Sequence, residues 1–104
     1  MEKHYNKLIR DRIPEIIEAT GKEYTVRTLD EEEYLKALQE KLQEELNEYF
    51  ESNEVEELAD ILEIIHAILD YQGMRFEELE EMRVKKQEKR GGFKERLFLI
   101  KVRG

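Results

Sequence analysis

The sequence predicts a mainly α-helical fold: an antiparallel helical bundle with a small two-stranded β element, in one domain over residues 1–104. Three observations predict it. Apolar residues recur at helical intervals through residues 31–51 and 54–72, with capping residue types at the segment ends. The run FEELEEMRVKKQEKR reads as another helix, stopped by Gly91 and Gly92. EYTVRTL and RLFLIKV instead alternate and are rich in β-branched and aromatic residues, as short strands are.

From Leu8 to Thr20, the residues Leu8, Ile9, Ile13, Ile16 and Ile17 keep helical spacing. Pro14 suits a first turn and Gly21 a terminus, so a first helix is expected from about Asp11. The strand-like EYTVRTL follows, and Asp30 with Glu33 resembles a capping box that opens the next helix. That helix is predicted over 31–51, because Leu35, Leu38, Leu42, Leu46 and Tyr49 share one face. Asn53 with Glu56 repeats the capping pattern, and the third helix should stop at Gly73. The short break between them predicts a tight antiparallel hairpin. The fourth helix is acidic first and basic later, the order that suits a helix dipole. RLFLIKV is expected to pair with the segment near 24–29.

Composition narrows the class of function. The chain has no cysteine, which removes disulfides and thiolate zinc sites and fits a reducing compartment, so cytoplasm is expected. No apolar run approaches the roughly 18 to 20 residues of a membrane span, and MEKHYNKLIRDR lacks the apolar stretch of a signal peptide. The net charge of −8 is unevenly spread. Residues 30–82 hold 3 Lys/Arg against 19 Asp/Glu, and residues 83–104 hold 9 against 2. So acidic a middle repels nucleic-acid polymers, and neither they nor a membrane are expected partners. A single RGG, without repeats or stacking platforms, does not change that.

The carboxylates are placed by helical phase. Glu45 falls in the arc of Leu38, Leu42 and Tyr49, with Glu48 at its edge. On the third helix Leu58, Leu62, Ile65 and Leu69 form one stripe, and Glu57 and Asp60 begin a second that continues through Ile64, Ala67 and Tyr71. A helix apolar on two sides belongs inside a bundle or at a subunit interface, so a homodimer or homotetramer is expected. Each helix offers an i,i+3 pair, Glu45 with Glu48 and Glu57 with Asp60, and the hairpin brings them together. Two like charges 4 Å apart repel by about 1 kcal/mol in water and about 4 kcal/mol at an effective dielectric of 20. A cation or protons must relieve such a cluster. Oxygen ligands without Cys or paired His suit Mg²⁺ or Mn²⁺.

E-E-x-x-E at Glu44, Glu45 and Glu48, followed by E-x-x-D at Glu57 and Asp60, resembles the signature of the all-α nucleoside triphosphate pyrophosphohydrolases, the MazG-like and phosphoribosyl-ATP pyrophosphohydrolase-like superfamily. YNKLIRDRIPEII and KKQEKRGGF, with the segment that follows, resemble a small MazG-like subgroup. The resemblance implies Mg²⁺-dependent hydrolysis of a nucleoside triphosphate, or a related α,β-phosphoanhydride, to the monophosphate and pyrophosphate. It implies that Glu45, Glu48, Glu57 and Asp60 hold the metal and that Glu44 assists, with Glu44 and Glu45 as the catalytic candidates. Only eight residues separate Glu48 from Glu57, at the short end for this family, leaving little room for a lid. No G-x-x-x-x-G-K loop is present. Phosphates must meet other cations, and Lys86, Lys89, Arg90, Lys7 and Arg10 are the candidates, Lys86 and Arg90 sharing a helical face.

Two other readings stay open. Glu63 and His66 form an E-x-x-H of the di-iron carboxylate type, though Glu63 is out of phase with Glu57 and Asp60. Alternatively, the acidic middle belongs to a non-catalytic helical module for dimerisation or interaction.

Overall fold

The computed structural model describes all 104 residues. The fold is all-α, with four helices and no strands: α1 Ile13–Ala19, α2 Glu31–Ser52, α3 Val55–Gln72 and α4 Phe76–Arg90. No helix is long and apolar enough to cross a membrane.

Local sequence sets the helix ends. Pro14 lies in the first turn of α1, and Gly21, at φ +80°, follows its end and donates to the Glu18 carbonyl. At α2 the expected capping box forms: the Glu33 N–H donates to Asp30 Oδ1 at 2.9 Å and the Asp30 N–H to Glu33 Oε1 at 3.3 Å. Arg27 grips the same glutamate through both terminal nitrogens, at 3.1 and 2.7 Å. Asn53 acts differently from expectation. It takes the left-handed conformation at φ +56° and closes α2 by donating to the Tyr49 carbonyl, so Glu54 becomes the first flanking residue of α3 and receives no side-chain cap. With two residues in the connection, one residue cannot both end α2 and cap α3. Gly73, at φ +72°, ends α3: its N–H reaches the Asp70 carbonyl and the Met74 N–H the Leu69 carbonyl, the Schellman pattern.

The α2–α3 hairpin is the one pair of elements in extended contact. Its antiparallel course follows from the two-residue turn and from Tyr34, near the start of α2, meeting Tyr71, near the end of α3, edge-on at 6.0 Å. Of the two stripes on α3, the one through Asp60, Ile64, Ala67 and Tyr71 faces α2. The other is bare only in its first half, with Leu58 45% and Leu62 43% exposed, and is covered toward its end, where Leu69 is buried. The buried set is small: Leu38, Ile64 and Leu69, with Glu45 as the one buried charged residue.

The expected two-stranded β element does not form. Residues 24–29 and 96–102 have no strand pairing, and every residue from 91 to 104 is exposed. A strand is held by a neighbour's backbone groups. Here α4 packs along no other element, so it carries the second segment away from the first. The chain is accordingly elongated, 64 × 32 × 24 Å, with a radius of gyration of 18.7 Å, where a compact domain of this length has about 13 Å.

Candidate functional site

Residues 8–12, α2 and α3 enclose a cleft of about 380 Å³, lined among others by Leu8, Ile9, Arg10, Leu38, Lys41, Glu45, Asp60 and Glu63. The hydrophobic face of α2 puts Glu45 into this cleft, because it follows Leu38 by two turns on the same side. It is only 7% exposed, and its Oε2 is buried with no hydrogen-bond partner. Glu57 Oε2 is buried and unpartnered as well.

The carboxylates converge as two overlapping triplets, Glu44–Glu45–Glu48 and Glu45–Glu57–Asp60, each with oxygens within 4.8 Å of one another. Glu45 belongs to both. Burial first, and then the adjacent Glu48 carboxylate, push the Glu45 carboxyl up to about 7; Asp60 adds to the rise and Lys41 opposes it. Glu57 is raised too, by burial and then by the negative charges of Glu48 and Asp60. Glu44 goes the other way. Burial pushes it up, but hydrogen bonds from Lys7 and Lys41, each at 3.2 Å, more than offset that and hold it below the usual carboxylate range.

This set fits a divalent cation by the chemistry of its donors. A small hard cation takes oxygen ligands at about 2.0–2.1 Å, so its neighbouring ligands lie roughly 3–4 Å apart. Oxygens gathered within 4.8 Å lie at most about an ångström outside that spacing. The orphaned Oε2 atoms of Glu45 and Glu57 are buried acceptors of the kind that a cation or a proton would satisfy.

Of the predicted phosphate-binding cations, Lys7 and Arg10 are at the site. Lys7 Nζ lies 3.2 Å from Glu44 Oε1, and Arg10 Nη2 lies 2.7 Å from Asp60 Oδ1. Lys86, Lys89 and Arg90 are exposed on the later half of α4 and make no ion pair with any carboxylate of the cleft. Sequence reasoning passed over Lys41, whose Nζ is 3.2 Å from Glu44 and 3.7 Å from Glu45. The signal was present, since Lys41 precedes those glutamates by three and four residues on α2. Glu63, out of phase with Glu57 and Asp60, is exposed at the edge of the cleft and joins neither carboxylate triplet. His66 is likewise in neither triplet, and its ring stacks on Phe76 at 4.4 Å with 12° between the planes.

No protein-family model matches the chain. No solved structure matches it either. An uncharacterized protein of Mycolicibacterium smegmatis is 52% identical to it over 42 residues, which cover 40% of this chain and 43% of that protein. The similarity thus spans less than half of either chain.

Proposed function

We propose that this chain is a Mg²⁺-dependent nucleotide pyrophosphohydrolase of the all-α MazG-like kind, with Mn²⁺ as an alternative metal. It would act as a cytoplasmic homodimer or homotetramer on a nucleoside triphosphate or a related nucleotide. The observation that carries this reading is Glu45, buried with an unpartnered oxygen where two carboxylate triplets meet.

Glu45, Glu48, Glu57 and Asp60 would hold the metal, which when bound supplies charge neutralisation and a water of lowered pKa. Each helix offers one pair, so the hairpin sets the spacing between the two halves of the site. Glu44 is held ionised by Lys7 and Lys41, which suits it to accept and orient a hydrogen bond from the attacking water. Glu45, raised to about 7 in the metal-free cluster, would give up its proton on metal binding, the cation taking over the negative charge that burial and Glu48 disfavour. Arg10 and Lys7 are engaged with Asp60 and Glu44 in the structure described. Once those carboxylates serve as ligands or water partners, both cations can turn to a phosphate, Arg10 with its planar fork. Charge stabilisation and positioning are most of what phosphoryl transfer to water requires.

The test is pyrophosphate release from a panel of common and damaged nucleoside triphosphates with Mg²⁺, Mn²⁺ or EDTA. Metal-dependent release that Glu48→Gln abolishes is the expected result. Absence of release across the panel, with no effect of Mg²⁺ on thermal melting, would leave the non-catalytic acidic module as the better account. The di-iron reading has less support, because neither Glu63 nor His66 is among the residues whose ligand atoms come within 4.8 Å of one another.

A further inference from the structure

We propose that residues 91–104 are an exchanged arm: the arm of one copy crosses to a second copy and covers the outer face of that copy's α3 around Leu58 and Leu62. This needs a second copy, as the oligomeric reading above does, but it does not need the catalytic one.

The surface area calls for a large interface. A compactly folded monomer of 12.6 kDa exposes roughly 6,200 Å², whereas this chain exposes 10233 Å². The excess of roughly 4,000 Å² is more than the 1,000–2,500 Å² or so that each partner gives to an obligate homodimer. A flat helix-to-helix contact over Leu58 and Leu62 would absorb only a small part of it. The densest stretch of uncovered apolar surface is the arm itself, where Phe93, Leu97, Phe98, Ile100 and Val102 are between 82% and 97% exposed. Consecutive Leu97, Phe98, Leu99 and Ile100 put apolar groups on both sides of an extended chain, so the arm needs cover along its length.

Charge selects the partner. Residues 83–104 carry 9 Lys/Arg against 2 acids, of which the arm itself holds 4 against 1 and the end of α4 the rest, and residues 30–82 carry 19 acids against 3 Lys/Arg. Of those nine cations only Arg83 has an ion-pair partner, the nearby Glu80. The arm's own hairpin does not receive it, since α4 leads away and the arm is fully exposed. A second copy offers the same acidic hairpin with the bare Val55, Leu58 and Leu62 surface on it.

The chain has no cysteine, so introduced thiols report the contact cleanly. Glu54→Cys marks the hairpin one turn before Leu58, and Lys94→Cys marks the arm; both sites are exposed. Mixing the two variants with a short bis-maleimide should link them into a species of twice the 12.6 kDa chain mass, in greater yield than either variant alone. Light scattering should show a dimer or larger species, and reversing Lys94, Arg96 and Lys101 to Glu should weaken self-association by roughly ten-fold or more. A single-chain mass at all concentrations overturns the proposal, as does a link confined within one chain in the Glu54→Cys, Lys94→Cys double variant. A dimer with no cross-link between the sites also overturns it, as does an arm that binds anionic vesicles while the mass stays that of one chain. None of these readouts uses pyrophosphate release, so loss of the enzymatic reading and loss of the arm are told apart.

Discussion

Glu45 is the one buried charged residue, with one oxygen unpartnered and its nearest cation, Lys41, 3.7 Å from the other. An ordinary glutamate titrates near 4.5, and this one near 7, so between those values the folded chain holds a proton that the unfolded chain has released. Without divalent ions, stability should therefore fall as pH rises from about 4.5 to about 7, by at most about 3 kcal/mol. Thermal melts in EDTA across that range would measure the slope, and Glu45→Gln should flatten it. Mg²⁺ added above pH 7 should raise the Tm of the parent chain more than that of Glu48→Gln, because a ligand bound only by the native state stabilises it. Asp60→Asn is a less clean probe. It removes the partner of Arg10, though the half-exposed pair is itself worth only about 0–1 kcal/mol.

At the level of elements, the ends of the helices rest on a few side chains. Asp30→Ala should cost about 1 kcal/mol in chemical denaturation, since it removes the acceptor for the Glu33 N–H. Glu33 is pulled down to about 2, first by the hydrogen bond from Arg27 and then by the Asp30 N–H. That contribution to stability is present above the ordinary glutamate range and is lost as pH falls toward 2. Arg27→Ala should therefore narrow the difference in stability between neutral and acid solution. Gly73→Ala should cost roughly 1 kcal/mol in the same assay, although nothing lies within 4 Å of the added Cβ. The penalty there is the left-handed backbone, φ +72°, and not a clash. Asn53→Gly, at φ +56°, should by contrast be close to neutral.

For the whole molecule, a core of three buried apolar residues is too small to hold 104 residues folded alone against chain entropy. Folding and association should then be coupled, and Tm should rise with protein concentration over a dilution series. A Tm independent of concentration would mean that one chain is a sufficient folding unit. The same coupling bears on the cleft, whose 380 Å³ lies near the small end of the roughly 300–1,000 Å³ usual for ligand sites. Phosphate groups fit such a space more readily than a whole nucleotide does.

The sequence by itself determined the helices and which carboxylates share their inner faces. Periodicity located α2 and α3 closely, the Asp30–Glu33 capping box fixed the start of α2, and Gly73 and Gly91 marked the ends of α3 and α4, because helix hydrogen bonds join residues four apart and need nothing from elsewhere in the chain. Helical phase likewise put Glu45 inside and drew Glu57 and Asp60 toward it. Strand propensity in EYTVRTL and RLFLIKV could not say whether the two would meet, since pairing depends on where the intervening helices lead. Only the tertiary structure decided that α4 departs from the hairpin, that Leu58 and Leu62 stay bare while Ile64 is buried, and that Arg10 and Lys7 reach the carboxylates. Those outcomes rest on contacts between residues far apart in sequence, the Arg10–Asp60 pair among them, and local pattern carries no record of such distances.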